Sequence, residues 1–434
     1  MNQENDVFSE SKLPGLEDQA FATPNMPACI ERLDAIFASN SRKNKGSVLK
    51  LHLENFKVFN DTFGYLYSDL LLKEIYQYLK SIEKAEVFRY TGIDFVIILE
   101  GMNYSQTMQV VETLQDRFEQ HWRINDMDCM CVFNLGAIFY PGLADLTPQL
   151  LGYLDQAVNA AAKLEQNQVV VYDSELHNKL YRKSSIANSL KEAINEGALE
   201  LRFRPTYRVE KNKFTRAESF LRLFSKEFGI ISQTEFIPIA EDSGLICAID
   251  NYVIHMVCQT IKTLLEEGKD FESLAVPISP IQFLQEHFCE QIAKTLEEYQ
   301  IPASKLAFEI TEGVLISSFP RVNIVMQELS DMGIEFILSE FGTGYSGINN
   351  ILYLPVDVLK LSRTFVLQLD TDERSSVLIE GLIGIANKAG FKLIAEGVET
   401  EHQVELLKQY GCQYEQGFYY SSTVTTGELK ALFS

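Results

Sequence analysis

Residues Glu335–Leu361 read EFILSEFGTGYSGINNILYLPVDVLKL, and this stretch decides the fold of the second half of the chain. It begins and ends with short apolar segments that predict strands, and the glycine-containing residues between them predict a connection. The same alternation of strand and helix patterns continues on both sides, and about eight strands over about 250 residues are typical of an α/β barrel. The predicted strands are Leu199–Arg202, Phe214–Leu221, Leu274–Ile278, Leu306–Ile310, Glu335–Ser339, Val358–Lys360 and Lys392–Ala395, with a last strand near Gln416–Tyr420.

The first half of the chain mixes hairpins with helices, which predicts an α+β domain. Apolar residues at helical spacing predict a helix over Met26–Ala38, and two apolar runs on either side of Tyr90–Ile93 predict a β-hairpin. A polar stretch without a clear period separates the two halves. We expect a flexible tail over residues 1–15, the α+β domain over 16–175, a linker over 176–188 and the barrel over 189–434.

The composition limits the functions that this chain can have. Of its 434 residues, 46% are hydrophobic, which suits globular domains. No apolar run approaches the roughly 18 residues of a membrane span, and the polar start is unlike a secretory signal, so we expect a cytoplasmic protein. The formal net charge of −22 disfavours binding to nucleic acid or anionic membranes. Its seven cysteines form no CxxC pair, so neither a zinc site nor a disulfide framework is predicted.

Five polar residues fall at or near the ends of predicted barrel strands. They are Glu218, Glu309, Ser339, Lys360 and Glu396. Because the active site of an α/β barrel lies where the C-terminal strand ends meet, we expect these side chains to lie close together. Each residue alone is equally well explained as a surface or capping residue.

The neighbours of these residues resemble one family. The segments ESFLRLF, FEITEG, LIAEGVET and EQGFYYS, with the opening stretch, resemble EAL-domain phosphodiesterases of cyclic di-GMP, over about Ser185–Ser434. The resemblance implies a TIM-like barrel that hydrolyses a phosphodiester with two divalent cations, which carboxylates and an asparagine hold. The residues that match the family's metal, water-activating and dinucleotide positions are Glu218, Glu309, Glu396, Lys360, Arg222 and Gln416.

Three departures from the family pattern affect the metal ligands. The family's asparagine is Pro277, which has neither a side-chain oxygen nor an N–H. The family's paired aspartates are Ser339, a poor ligand for a hard dication, and Glu340, whose carboxylate sits one methylene further out. We therefore expect hydrolysis to be very slow or absent and no cofactor to be bound, with Mg²⁺ or Mn²⁺ needed only if activity survives.

A fourth departure permits two interpretations. The family's glutamine is Arg204, in FRPTY. Together with Arg222, it would give two guanidinium groups that bind phosphate without metal. Alternatively, Arg204 pairs with Glu218 or Glu309 and occupies the vacated metal site, because buried carboxylates need partners.

The first half resembles a GGDEF diguanylate cyclase domain, from about Leu16 to Glu175. The signature turn reads Thr91-Gly92-Ile93-Asp94-Phe95, so a threonine replaces a glycine and Ile93 replaces a carboxylate. The metal-binding aspartate of the family is His52, whereas Asn60 and Asp69 remain at guanine-recognising positions. The resemblance implies a domain without cyclase activity, kept as an interaction or dimer surface, with weak guanine binding at most.

Three hypotheses follow for the whole chain. The first is a catalytically inactive regulator that binds cyclic di-GMP, a partner protein, or both. The second is a slow metal-dependent phosphodiesterase that uses Glu218, Glu309, Glu340, Glu396 and Lys360. The third is a scaffold that binds no nucleotide. A homodimer is compatible with all three.

Overall fold

The structure is a computed structural model that describes residues 17–18, 23–39, 45–164, 166–311, 319–341, 354–370 and 373–433. The chain divides into two compact units, the first ending at Arg182 and the second beginning at Lys183. The tail expected over residues 1–15 lies outside the described residues. The segment 176–188, which the sequence predicts as a linker, is part of a helix over Ser174–Glu196.

The first unit is an α+β domain, as the sequence predicts. Its strands are β1 Glu17–Asp18, β2 Thr23–Pro24, β3 Gly46–Leu53, β4 Ala85–Thr91, β5 Asp94–Glu100, β6 Trp122–Ile124, β7 Met127–Cys129, β8 Phe133–Tyr140 and β9 Val169–Val171. Its helices are α1 Met26–Ala38, α2 Phe56–Phe63, α3 Tyr65–Ser81, α4 Tyr104–Phe118, α5 Thr147–Ala161 and the start of α6 Ser174–Glu196. The predicted helix α1 and the predicted hairpin β4–β5 are confirmed.

The main sheet of the first unit has the strand order β4-β5-β3-β8-β9, in which only β8 and β9 are parallel. Successive residues of the central strand β3 face opposite sides: Leu49 packs with the buried residues of α3 and α4, and Val48 packs with those of α1 and α5. Helices cover both sides of the sheet, which explains why the central strands are apolar at nearly every position.

The second unit alternates strands and helices. Its strands are β10 Glu200–Arg208, β11 Lys213–Ser225, β12 Gly229–Ile231, β13 Ser273–Pro277, β14 Leu306–Thr311, β15 Glu335–Phe341, β16 Val358–Leu361, β17 Lys392–Glu396 and β18 Tyr414–Gln416. Its helices include α7 Gln233–Asp242, α8 Ile246–Glu266, α9 Pro280–Phe283, α10 Phe288–Tyr299, α11 Phe319–Asp331, α12 Arg363–Gln368, α13 Glu373–Lys388, α14 Glu401–Tyr410 and α15 Thr426–Leu432.

Eight of these strands close into a barrel, in the order β10-β18-β17-β16-β15-β14-β13-β11, and β10 pairs with β11 to complete the ring. The other seven barrel strands are mutually parallel, whereas β10 is antiparallel to both of its neighbours. The predicted α/β barrel is thus confirmed, with one reversed strand. No helix among the described residues has both the length and the apolar character required to cross a bilayer.

The last predicted strand, Gln416–Tyr420, is wrong in position, because the observed strand β18 ends at Gln416. At Gly417 the backbone meets that of Val398 so closely that a Cβ would lie 2.1 Å from the Val398 carbonyl oxygen. The chain turns here, and the Tyr420 N–H donates to the Gly417 carbonyl at 3.1 Å. The apolar and aromatic residues after Gln416 therefore belong to a turn and not to the ladder.

One layer of apolar side chains fills the barrel interior. It consists of Ala275, Ala307, Ile337, Val358, Ile394 and Tyr414. Side chains in a strand alternate, so the residue two positions later in each strand points to the same interior, one layer nearer the C-terminal ends. Those residues are Pro277, Glu309, Ser339, Lys360, Glu396 and Gln416. The fold therefore brings the matching and the departing positions of the predicted site into one layer.

Candidate functional site

Lys360, on β16, lies at the centre of a group of carboxylates contributed by three other strands, β11, β14 and β17. Its Nζ donates to Glu218 Oε2 at 2.7 Å and to Glu309 Oε1 at 3.0 Å, and it lies 3.7 Å from Glu396 Oε2. The lysine side chain is 2% exposed, and those of Glu309 and Glu218 are 8% and 13% exposed. The predicted convergence of Glu218, Glu309, Lys360 and Glu396 is therefore what the structure contains. We call these four residues and Arg204 the carboxylate cluster.

The electrostatics of the cluster follow from burial and pairing. Burial lowers the pKa of Lys360, but the carboxylates of Glu218, Glu309 and Glu396 outweigh it and hold that pKa above its usual value. Burial raises the pKa of Glu218, but Lys360 and Arg204 outweigh it, so the pKa is lowered. For Glu309, burial and the neighbouring Glu218 both raise the pKa, and Lys360 offsets only part of this. The ion pairs thus keep Lys360 charged in a buried site.

Arg204 contacts the same carboxylates from the reversed strand β10. Its Nη1 donates to Glu396 Oε1 at 3.1 Å and to Glu218 Oε2 at 3.3 Å. Cross-strand register places Arg204 directly opposite Glu218. Burial lowers the pKa of Arg204, but Glu218 and Glu396 more than compensate and raise it. Of the two interpretations of this arginine, the structure has the one in which it pairs with a carboxylate, although Glu396 replaces Glu309 as its second partner.

Arg222 differs from Arg204 in its surroundings. It follows Glu218 by four residues on β11, so strand alternation places both side chains on the same face. Within the described ranges, the half-buried Arg222 side chain makes no hydrogen bond, ion pair or ring contact. Gln416 lies close to the cluster: its Nε2 donates to Thr206 Oγ1 at 3.0 Å, whereas its Oε1 is buried and has no partner among the described residues.

The residues of this layer do not fit a pair of divalent cations. Pro277 is exposed and offers no side-chain ligand, and the Ser339 hydroxyl donates to the Ile310 carbonyl at 3.1 Å. Glu340 is exposed, unlike the carboxylates of the cluster, and its backbone lies in the left-handed region at φ 58°. In the described part of the chain, no three His, Cys, Asp or Glu side chains are arranged to hold a metal ion. Lys360 and Arg204 are the cations that the carboxylates contact.

A cavity of about 210 Å³ opens beside the cluster. Its lining includes Arg204, Glu396, Gln416, Arg363, Glu399 and Phe418. The last three were not predicted as site residues from the sequence, although Glu399 and Phe418 lie in segments that resemble the family. Arg363 donates to Glu399 Oε1 at 2.7 Å and passes close to the Gly397 backbone, where a Cβ would lie 2.3 Å from Arg363 Cγ. The glycine, at φ 82°, is thus required for this wall of the cavity.

In the first unit, side-chain cations contact Asp94, the acid of the signature turn Thr91–Phe95. His52 Nδ1 lies 2.6 Å from Asp94 Oδ1, and Lys50 Nζ lies 3.3 Å from Asp94 Oδ2 and 2.5 Å from Asp155 Oδ1. The Thr91 hydroxyl donates to Asp94 Oδ2 at 2.8 Å. Burial opposes the charge on both partners, but the contact with Asp94 raises the pKa of His52, and His52 and Lys50 lower the pKa of Asp94. The histidine at the family's metal position therefore pairs with the remaining acid of the turn.

The guanine-position residues lie on the helices that follow β3. Asn60 is in α2, half-buried, and its Oδ1 has no hydrogen-bond partner among the described residues. Asp69 is in α3 and is exposed to solvent. Of these two positions, only Asp69 therefore presents its polar side chain to solvent, because Asn60 Oδ1 is buried.

Comparison with known proteins agrees with both halves of the architecture. Residues 187–423 match the EAL domain family, and residues 18–168 match the family described as "Diguanylate cyclase, GGDEF domain". The bifunctional diguanylate cyclase/cyclic di-GMP phosphodiesterase MucR of Pseudomonas aeruginosa is 27% identical over 406 residues, which cover 93% of this chain and 59% of MucR. The signaling protein YkoW of Bacillus subtilis is 29% identical over 406 residues, covering 92% of this chain and 51% of YkoW.

A solved structure shares the fold of the second unit. The MucR phosphodiesterase in complex with cyclic di-GMP superimposes with a TM-score of 0.54 at 28% identity, covering 56% of this chain and 99% of that one. The chain spans between half and about three fifths of the length of the two relatives named above. With a GGDEF domain before an eight-stranded barrel that matches the EAL domain over more than half of its residues, this chain belongs to the GGDEF–EAL family of proteins.

Proposed function

We propose that this chain is a catalytically inactive, cytoplasmic regulator whose barrel binds cyclic di-GMP without metal and passes the signal to a partner protein. The observation that carries the proposal is the contrast between two arginines of the barrel. Arg204 is neutralised within the carboxylate cluster, whereas Arg222 has no partner among the described residues. A guanidinium group can donate two parallel hydrogen bonds to one phosphate, so it is a suitable contact for a dinucleotide that carries two phosphates.

The charge of the cluster supports binding without hydrolysis. Three carboxylates face two cations, so the formal charge of the five residues is −1 instead of −3. A dianionic ligand is therefore repelled much less than by bare carboxylates, and it does not require metal ions to screen them. At the same time, nothing among the matched residues replaces the metal-bound water that hydrolysis uses in this family.

Calorimetric titration of the full chain with cyclic di-GMP tests the proposal. We expect a stoichiometric endpoint in the absence of divalent metal and the same affinity after Mg²⁺ or Mn²⁺ is added. Arg222→Ala should weaken binding about ten- to hundredfold, because a charge-assisted hydrogen bond contributes about 1.5–3 kcal/mol. Arg123→Ala is the matched control, since Arg123 is an exposed arginine of β6 in the other unit. Equal affinities for the two variants would refute the phosphate contact.

One observation favours the second candidate function, a slow metal-dependent phosphodiesterase. Glu218, Glu309, Glu396 and Lys360 converge as the hydrolytic members of the family require. Incubation of the pure protein with cyclic di-GMP and Mg²⁺ or Mn²⁺ separates the two functions. Linear dinucleotide that forms in proportion to protein concentration would support the enzyme. Its absence, together with a binding endpoint, supports the receptor.

The third candidate, a scaffold that binds no nucleotide, predicts no heat of binding in the same titration.

The first unit would act in either regulator as an interaction or dimer surface, because Asp94 already pairs with His52 and Lys50. Sedimentation of the full chain with and without cyclic di-GMP reports whether it forms a homodimer and whether the nucleotide changes that state.

A further inference from the structure

Arg204 occupies a position in the barrel where it neutralises two carboxylates at once. A single nitrogen, Nη1, lies 3.1 Å from Glu396 Oε1 and 3.3 Å from Glu218 Oε2. These two glutamates are on strands β11 and β17, which are separated around the ring by β10 and β18. Lys360 approaches the same two side chains from β16 and lies 2.7 Å from Glu218 Oε2 and 3.7 Å from Glu396 Oε2. The carboxylates are therefore contacted by cations from two sides.

This arrangement changes what a metal ion would meet at the face of the barrel. Without Arg204, the three carboxylates and Lys360 would carry a formal charge of −2, which matches one divalent cation. With Arg204 the formal charge is −1, and a metal ion must displace a guanidinium group whose side chain is 35% exposed. Arginine stays protonated at any pH at which the protein is folded, so this competitor cannot be removed by titration.

Competition from a tethered cation is strong. The guanidinium is covalently attached to the strand that pairs with Glu218, so its binding to the carboxylates costs no translational entropy, whereas a metal ion must come from solution and lose water. The Phe220 ring, whose centroid lies 5.8 Å from Arg204 Cζ, further confines the guanidinium. Arg363, which lines the same cavity as Arg204 and Glu396, donates its hydrogen bond to Glu399 instead of to the cluster.

From this geometry we propose that Arg204 is a built-in counter-ion that excludes divalent metal from the face of the barrel. The Gln to Arg change relative to the family pattern is then sufficient by itself to weaken metal binding, in addition to the losses at Pro277 and Ser339. The proposal shares the carboxylate cluster with the proposed function, but it does not require that any nucleotide binds.

Mn²⁺ titration of the full chain, monitored by the electron paramagnetic resonance signal of the free ion, tests this inference without nucleotide. At physiological ionic strength we expect the wild type to show only weak, non-saturating binding. Arg204→Gln should gain one site with an affinity at least about tenfold higher, because a unit positive charge has been removed next to the ion. Its melting temperature, measured by circular dichroism, should rise on addition of Mn²⁺ and fall again with EDTA.

Two variants complete the test. Arg204→Lys keeps the positive charge, so its melting temperature should remain insensitive to Mn²⁺. This variant separates the effect of the charge at position 204 from that of the shape of the side chain. Arg363→Gln removes a positive charge from the same face but not from the cluster, and it should behave as the wild type. A saturable Mn²⁺ site of equal affinity in the wild type and in Arg204→Gln would overturn the proposal. So would a folded Arg204→Gln variant that gains no site. Either result leaves the Arg222 titration with cyclic di-GMP as an independent test of the proposed function.

Discussion

Replacing Lys360 with methionine removes the cation that Glu218 and Glu309 share, at nearly constant side-chain volume. Breaking a buried ion pair by removing one partner costs about 3–5 kcal/mol, because the remaining charge is left without compensation. Lys360 is 2% exposed and lies within 3.0 Å of both carboxylates, and its loss leaves Glu309 without a cation because Arg204 pairs with Glu218 and Glu396. We expect the free energy of unfolding of the barrel unit to fall by about 3–5 kcal/mol.

The pH dependence of this loss is a second part of the same prediction. Without Lys360, the pKa of Glu309, already raised by burial and by Glu218, rises further. A carboxyl group whose pKa is higher in the folded than in the unfolded protein lowers the free energy of unfolding as the pH rises between the two values. The destabilisation by Lys360→Met should therefore be larger at pH 8 than at pH 5, at which Glu309 accepts a proton.

Urea denaturation followed with two probes measures the effect and locates it. Far-ultraviolet circular dichroism reports on both units, whereas the single tryptophan of the chain, Trp122, lies in the first unit. The variant should shift the part of the dichroism transition that belongs to the barrel and leave the tryptophan transition in place. Lys392→Met is the control: Lys392 pairs with Glu335 at 2.6 Å but is 48% exposed, so its loss should cost less than about 1 kcal/mol. A midpoint shift for Lys360→Met no larger than that of the control would refute the reasoning.

Two further predictions concern residues around the site. Glu415 is fully buried, its Oε2 accepts a hydrogen bond from the Tyr420 hydroxyl, and burial raises its pKa to about 7. A carboxyl group whose pKa is higher in the folded protein makes the fold less stable as the pH rises from about 4.5 to 7. Glu415→Gln should therefore be about 3 kcal/mol more stable than the wild type at pH 8 and equal to it near pH 4.5. Thermal melts of both proteins across this range check the sign, and a constant difference would contradict it. Gly397→Ala should destabilise the barrel by about 1–2 kcal/mol through its positive φ, with an additional cost because its Cβ would lie 2.3 Å from Arg363 Cγ. Arg363→Ala removes that Cγ but keeps a Cβ at 2.9 Å, so thermal melts of the double variant should show relief of only part of the additional cost.

The sequence predicted the architecture because the patterns that encode it are local. Alternating strand and helix patterns with short connections permit few arrangements, and a run of about eight such strands predicts a barrel. The positions of the candidate site were predictable for the same reason. On the strands from β14 to β17, each site residue stands two positions after a buried apolar residue, as Lys360 follows Val358, so both face the interior.

The local patterns failed where backbone contacts between distant segments decide the structure. The last strand ends at Gln416 because Gly417 packs against Val398, a contact that no periodicity in the residues after Gln416 indicates. The segment 176–188 is polar and has no strong period, so its sequence likewise does not indicate that helix α6 continues through it.

The partner of Arg204 could be decided only by the tertiary structure. Its sequence position allows either phosphate binding or an internal ion pair, and both are chemically sound. The reversed strand β10 closes the barrel, places Arg204 opposite Glu218 and brings it to Glu396, which is 192 residues away in the chain. The sequence by itself determined which side chains are present and which layer they occupy. The closure of the ring determined which charges meet, because the Coulomb energy of an ion pair depends on a distance that only the folded barrel sets.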